Sequence, residues 1–181
     1  MQFEPTAIPD VVLVGPRAFG DARGFFLESW NEQRFSAGGL ELRFVQDNHS
    51  RSLRGTLRGL HYQVKRPQGK LVRAATGAVY DVAVDLRRNS STFGRWVGAL
   101  LSDENHHMLW IPPGFAHGFL VVSESADLIY KCTEFYAPEH ERSIRWDDGE
   151  LDIAWPLPAG AEPLLSARDR AACAFTEAEY F

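Results

Sequence analysis

The chain has 181 residues, of which 45% are hydrophobic and 24% charged, a composition typical of a globular protein. Its net charge of −5 argues against a nucleic-acid partner, which would require a basic face, yet a few arginines in one cleft would still hold a phosphorylated ligand. Two cysteines, Cys132 and Cys173, are too few for a disulfide framework, so we expect reduced thiols in a cytoplasmic protein.

Residues 1–14 have neither a basic region nor a long apolar run, so we do not expect them to be a signal peptide. No segment reaches the ~20 apolar residues of a membrane span, and we expect no membrane partner. Gly and Pro are spread along the chain, without a linker, a repeat or a low-complexity stretch. We therefore predict a single domain over residues 1–181.

Strand signals dominate from the N-terminus onwards, because short segments rich in β-branched and aromatic residues alternate with Gly, Pro, Asn, Asp or Ser. The alternation is clearest where Tyr80, Val82 and Val84 share one face and Asp81 and Asp85 share the other. Helices are predicted only at 31–37 and at 167–174, the second with Ser166 as its N-cap. Many short strands separated by turns predict an all-β sandwich or closed barrel. The predicted strands are 11–14, 25–30, 44–46, 70–76, 79–86, 96–101, 108–111, 119–122 and 128–135.

Two segments are similar to the two sequence motifs of the cupin barrel. The first motif usually reads Gly, five residues, His-x-His, a short gap, Glu, six residues, Gly; here Gly55 precedes His61-Tyr62-Gln63, and Lys70 stands where the Glu would be. The second motif contains Pro-x-Gly-x-x-His, which residues 112–117 match, ending at His117. The resemblance implies a cupin-like double-stranded β-helix, or jelly-roll, barrel with short peripheral helices.

The substitutions in the first motif indicate the chemistry. A typical cupin holds a divalent metal with three histidines and a glutamate, whereas this chain has Gln63 for one histidine and a cation, Lys70, for the carboxylate. A lysine repels a metal but suits a negative oxygen that develops during a reaction. We therefore predict no metal site. An enolate formed by proton removal beside a ketone needs such a cation, and His61 is suited to be the base.

The chain as a whole resembles the dTDP-4-dehydrorhamnose 3,5-epimerase family of the cupin superfamily. One departure lies after Trp146, where the family often has Asn-Asp-Pro and this chain has Asp147, Asp148 and Gly149. The stretches that carry the resemblance run from near the N-terminus to near the C-terminus: residues 19–26, 44–50, 57–63, 68–73, 81–87, 111–119, 130–133 and 165–169.

The resemblance implies an isomerase that inverts C3 and C5 of dTDP-4-dehydro-6-deoxy-D-glucose to give dTDP-4-dehydro-L-rhamnose. It implies that His61 accepts the proton, Asp169 orients His61, Lys70 stabilises the enolate oxygen and Tyr130 donates a proton from the opposite face. No cofactor is expected, because the ketone itself makes the neighbouring carbon acidic. A homodimer that exchanges an N-terminal strand is also implied. The substrate-binding residues implied are Arg23, Glu28, Gln46, Asn48, Arg58, Lys70, His117, Glu141 and Arg168.

Several alternatives remain open at this point. An inward Asp81 could approach His61 or have a structural hydrogen-bonding function. Tyr136 shares a strand face with Tyr130 if the strand continues that far, and we expect it to stack on the substrate. The alternative functions are a mono-epimerase of the same family, a metal-dependent cupin oxygenase and a non-catalytic sugar-nucleotide binding module.

Overall fold

The computed structural model describes residues 1–181, which form thirteen β-strands and two short α-helices. Neither helix has the length and apolar character that crossing a membrane requires. The helices are α1 (Glu32–Ala37) and α2 (Ala167–Arg170). The strands are β1 (Gln2–Pro5), β2 (Val12–Gly15), β3 (Ala18–Asp21), β4 (Gly24–Leu27), β5 (Gln46–Leu53), β6 (Leu57–Gln63), β7 (Lys70–Thr76), β8 (Ala78–Asp85), β9 (Trp96–Ser102), β10 (Met108–Ile111), β11 (Phe115–Val121), β12 (Ser125–Cys132) and β13 (Glu141–Ser143).

Two antiparallel sheets make up the body of the fold. The first has the strand order β1-β2-β10-β7-β12-β5, and the second has the order β13-β6-β11-β8-β9. Strands β3 and β4 form a separate hairpin. The largest group of buried apolar side chains draws on both sheets, for example Val72 and Leu128 from the first and Val79 and Phe119 from the second. The predicted all-β class is confirmed, and the two packed sheets form a cupin-type jelly-roll barrel.

Strand β8 shows how the second sheet is buried on both faces. Val79 and Ala83 belong to the core between the sheets, while Val82 and Val84 pack in a second apolar cluster with residues of the C-terminal segment such as Ile144. The predicted alternation is therefore correct. The face predicted to carry the aspartates is the inner face, so these carboxylates need buried partners.

The structure differs from the predicted strands mainly around the polar segments. Strand β6 was not predicted, and β5 runs from Gln46 to Leu53 where only 44–46 was predicted. Strand β12 ends at Cys132, before the predicted 135, and α2 ends at Arg170, before the predicted 174. Asp, Asn, His and Arg dominate β5, and such residues have low strand propensity in isolation. Pairing with β12 along the whole of β5 outweighs that local preference.

Gly59 and Gly118 face each other where β6 and β11 leave no room for a side chain. Gly59 has a φ of +129°, and a Cβ there would stand 2.4 Å from the Cα of Gly118. A side chain at Gly59 would therefore separate the two strands. Their pairing places His117 directly opposite His61 in the sheet register, so both motif histidines lie at one level of the barrel.

Candidate active site

A cavity of about 260 Å³ opens between the two sheets. A larger cleft of about 380 Å³ lies near residues 145–147 and 162–172, but no histidine, lysine or tyrosine lines it. The smaller cavity has both bases and acids in its wall and is the candidate active site. Its lining residues are Gln46, Asn48, His61, Gln68, Lys70, Tyr130, Tyr136 and Glu141.

His61 forms a close pair with Asp169, which comes from the other end of the chain. The ring Nε2 lies 2.6 Å from Asp169 Oδ1, and the side chain of Asp169 is only 3% exposed. Burial by itself would raise the pKa of Asp169, but hydrogen bonds from His61 and Ser166 hold that pKa below its usual value. The ionised carboxylate can only accept hydrogen bonds, so Nε2–H is the donor in this pair, and Nδ1 is the ring nitrogen left to accept a proton.

Helix α2 places Asp169 through its N-cap. The Ser166 side chain accepts a hydrogen bond from the backbone N–H of Asp169, as the predicted N-cap should. The same hydroxyl donates to Asp169 Oδ2 at 2.6 Å. Both carboxylate oxygens are thereby engaged, which fixes the orientation of the pair. Ser166 was predicted as a cap, but its contact with the Asp169 carboxylate was not predicted, although the spacing of three residues could have indicated it.

Lys70, Tyr130 and Cys132 lie on two adjacent strands of the first sheet. Cys132 pairs in register with Lys70, and Tyr130, two residues earlier on β12, points to the same face. Burial lowers the pKa of Lys70, and the nearby Glu141 and Asp81 oppose that shift. Burial also raises the pKa of Tyr130, so its hydroxyl keeps its proton at neutral pH. A cation and a phenolic acid thus face the histidine of the opposite sheet.

Tyr136 and Glu141 lie at the cavity rim together with Arg168. The Tyr136 hydroxyl donates to Glu141 Oε2 at 2.6 Å, and the Arg168 guanidinium donates to the same oxygen. Tyr136 is not on the strand that carries Tyr130, because β12 ends at Cys132; it enters the cavity from the loop that follows. Its exposed ring, 51% accessible, is free to contact a ligand.

His117 forms a second pair, with Asp81, and does not line the cavity. Its Nε2 lies 2.9 Å from Asp81 Oδ2, and the side chains are 7% and 0% exposed. Burial lowers the pKa of His117. Asp81 opposes this shift, whereas the charges of Lys70 and His61 add to it. This imidazole is therefore neutral at pH 7. Of the two open possibilities for Asp81, the structure favours the structural hydrogen bond; its partner is His117, not His61.

The donor set does not fit the metal that a typical cupin holds. The Gln63 amide donates to the carbonyls of Arg66 and Phe135 and accepts from the N–H of Ala137, so it is fully used within the protein. No group of three or more His, Cys, Asp or Glu side chains is arranged around a possible ion position. The cationic Lys70 occupies the carboxylate position of the motif.

Five of the nine predicted substrate residues lie outside the lining of this cavity: His117 and Arg168, described above, and Arg58, Arg23 and Glu28. Arg58 donates to Ser52 Oγ and is close enough to Tyr130 for its charge to act on the Tyr130 pKa. Arg23 is on the β3–β4 hairpin, where it pairs with Asp21 and is 90% exposed. Glu28 follows that hairpin and pairs with Arg34. Within one chain, the structure does not bring Arg23 and Glu28 to the cavity.

The fold and the cavity define a cupin barrel in which a carboxylate-paired histidine faces a lysine and a tyrosine. A model of the dTDP-4-dehydrorhamnose 3,5-epimerase family matches residues 5–177, and the chain belongs to this family.

Known proteins similar to this chain cover nearly its whole length. It is 62% identical to the dTDP-4-dehydrorhamnose 3,5-epimerase of Pseudomonas aeruginosa over 97% of this chain and 96% of the relative. The dTDP-6-deoxy-D-glucose-3,5-epimerase of Legionella pneumophila, solved in complex with dTDP-4-keto-L-rhamnose, is 49% identical with a TM-score of 0.94, covering 98% of this chain and 94% of that one. A 3'-monoepimerase of Streptomyces bikiniensis, in complex with dTDP-quinovose, is 36% identical with a TM-score of 0.87, covering 94% and 86%.

Proposed function

We propose that this chain inverts C3 and C5 of dTDP-4-dehydro-6-deoxy-D-glucose, giving dTDP-4-dehydro-L-rhamnose, the epimerase step of dTDP-rhamnose synthesis. The observation that carries the proposal is the His61–Asp169 pair beside a cavity that also contains Lys70 and Tyr130. The relatives named for this reaction agree with it.

The first half of the reaction is a proton transfer to His61. Nδ1 takes a proton from the carbon next to the C4 ketone, and the C–H electron pair moves to the carbonyl oxygen as an enolate. The imidazolium that forms is stabilised by the ionised Asp169 on Nε2. Lys70 supplies the positive charge for the enolate oxygen, and the ketone provides the acidity, so no cofactor is needed.

The second half returns a proton to the other face of the same carbon. His61 is on β6 of the second sheet and Tyr130 on β12 of the first, so a hexose in the cavity lies between them. Tyr130 is protonated at neutral pH because burial raises its pKa. Its donation re-forms the C–H bond with inverted configuration and the ketone at C4. Proton exchange with water resets both groups, and the sequence repeats at the second carbon.

The remaining residues bind the sugar nucleotide in this proposal. Gln46, Asn48 and Glu141 do so from the cavity wall, and Arg168 does so beside Glu141. His117 and Arg58 support the reacting end, since both lie close to catalytic groups. Tyr136 stacks on the ligand.

The chain acts as a single-domain cytoplasmic homodimer in this proposal. The β3–β4 hairpin exposes Phe19, Phe25 and Phe26, which are 53%, 61% and 71% accessible, an apolar surface that a second copy of the chain would cover. Arg23 on the same hairpin and Glu28 just after it then complete the partner's cavity.

Turnover in heavy water tests the proposed function. Deuterium is expected at both C3 and C5 of the dTDP-4-keto sugar, as followed by mass spectrometry and proton NMR. Deuterium at one carbon only would replace the proposal by the mono-epimerase reaction. Absence of exchange at both carbons would refute epimerase activity, and tight sugar-nucleotide binding without exchange would indicate a binding module.

A further inference from the structure

A chain of side-chain hydrogen bonds follows the cavity wall from the rim to its buried end. The backbone N–H of Tyr136 donates to Gln46 Oε1 at 2.9 Å, and Gln46 Nε2 donates to Asn48 Oδ1 at 3.1 Å. Asn48 Nδ2 in turn donates to Cys132 Sγ at 3.5 Å. We call these four groups the amide relay. It ends at a fully buried thiol directly beside Lys70.

The direction of the relay is fixed by its first member. A backbone N–H can only donate, so it turns the oxygen of Gln46 towards Tyr136 and the nitrogen towards Asn48. Asn48 must then accept with its oxygen and donate with its nitrogen. The last acceptor is the Cys132 sulfur, which stays a neutral thiol because burial raises its pKa against the charge of Lys70.

This direction decides what the wall offers to a ligand. Each amide nitrogen has two hydrogens and uses one within the relay, which leaves one N–H on Gln46 and one on Asn48. Both residues line the cavity. The wall therefore presents donors, which suit the hydroxyl and phosphate oxygens of a sugar nucleotide. A reversed Asn48 amide would present its oxygen to the same atoms.

We propose that Cys132 is a positioning residue that holds the buried end of the relay, so that the Asn48 and Gln46 amides keep the donor-presenting orientation that the Tyr136 N–H sets. It accepts a hydrogen bond from Asn48 Nδ2. Without Cys132, this nitrogen would have no partner at the buried end. The nature of the ligand rests on the proposed function. Cys132 touches no reacting atom in this proposal, so its effect is on binding more than on the chemical step.

Two substitutions at Cys132 separate the hydrogen bond from packing. Cys132→Ala removes the acceptor, whereas Cys132→Ser keeps an acceptor at nearly the same place. Cys173→Ala is the matched control, because Cys173 is the other free thiol and donates to the Ser143 carbonyl, away from the cavity lining. The probe is dTDP-glucose, which has a hydroxyl at C4 and is not turned over, with its Kd measured by calorimetry.

We expect Cys132→Ala to weaken dTDP-glucose binding about three- to tenfold, the effect of one modest hydrogen bond. Cys132→Ser and Cys173→Ala should bind within about twofold of the wild type. With the keto sugar, Cys132→Ala should raise KM by a similar factor and change kcat less. A purely structural defect would lower the melting temperature and would not be rescued by serine.

Unchanged affinity in Cys132→Ala, or an equal loss in Cys132→Ser, would overturn the proposal. So would an equal loss in Cys173→Ala. The proposed function can fail independently of the relay. It fails if the wild type binds dTDP-glucose but exchanges no proton at C3 or C5 of the keto sugar. In that case the dTDP-glucose affinities of the variants still decide whether the relay orients the amides.

Discussion

The barrel contains two histidine–aspartate pairs that differ in access. His61 with Asp169 and His117 with Asp81 have similar Nε2 to oxygen distances, 2.6 and 2.9 Å, and the two histidines are opposite each other in the sheet. The His61 side chain is 27% exposed and lines the cavity, whereas that of His117 is 7% exposed. The same two residue types therefore have different uses, because only one ring has a second nitrogen that a substrate can reach.

The two carboxylates differ as well. Asp169 receives hydrogen bonds on both oxygens, from His61 and from Ser166. Asp81 Oδ1 is buried without a hydrogen-bond partner. A fully satisfied carboxylate stays ionised and holds its histidine in one tautomer, which a general base requires. The contrast supports the proposed proton transfer by the His61 pair and a structural function of the His117 pair near the cavity.

Replacement of the two histidines tests this contrast most strongly. His61→Asn should lower kcat by about 10²–10⁴, because the proposed proton acceptor is lost. His117→Asn keeps a hydrogen-bonding side chain beside Asp81 and should lower kcat less than tenfold. Steady-state kinetics of both variants measures the difference, with dTDP-glucose affinity as the control for an intact cavity. Equal losses in the two variants would contradict the assignment.

The aspartates provide a second test. Asp169→Asn should lower kcat by about 10²–10³, because an amide N–H facing Nε2 would move the ring proton to Nδ1 and occupy the base. Asp81→Asn should lower kcat less than tenfold. Ser166→Ala removes one hydrogen bond to Asp169, and its loss of kcat should lie between the losses of these two variants. The contrast would be lost if Asp81→Asn proved as damaging as Asp169→Asn.

Tyr130→Phe sharpens the assignment of the base. Inversion should slow about 10²-fold because the proton donor is missing, yet His61 can still remove and return a proton on its own face. Deuterium from heavy water should therefore enter the substrate without inversion, which proton NMR detects. Tyr136→Phe is the matched control and should keep inversion. Loss of both exchange and inversion in Tyr130→Phe would mean that Tyr130 acts before or during proton removal.

The sequence was informative where residues follow a motif and less so where polar residues form strands. The cupin spacing singled out His61 and Lys70, which both line one cavity, and the alternation in β8 put Asp81 and Asp85 on one face, which the structure shows to be the inner face. Most of β5 and all of β6 were not predicted as strands, because their inward positions carry Asn48, His61 and other polar side chains in place of apolar ones. Functional sites are where local patterns are expected to fail.

Contacts between distant segments were beyond pattern analysis. Asp169 is 108 residues from His61, and only the family resemblance linked the two. The partner of Asp81 could not be read from the strand, because it depends on the pairing of β8 with β11. Cys132 was noted as a reduced thiol and as part of the 130–133 stretch that resembles the family, but it was given no function, although its spacing of two from Tyr130 on a strand already indicated a position on the same face.

The pH dependence of stability provides the smallest and most specific test of the two pairs. Burial lowers the folded-state pKa of His117 below its ordinary value of 6.5, so the unfolded chain binds a proton more readily than the folded one. The stabilisation is complete above pH 6.5 and is lost as the pH falls from there towards the folded pKa, by at most about 1.4 kcal/mol per pH unit. The depressed pKa of Asp169 has the same sign, but it acts only below about pH 4. Urea unfolding of the wild type and of His117→Asn between pH 7.5 and 5 should therefore show a smaller slope in the variant. A slope as steep in His117→Asn as in the wild type would contradict the assignment of His117 as the buried, neutral histidine.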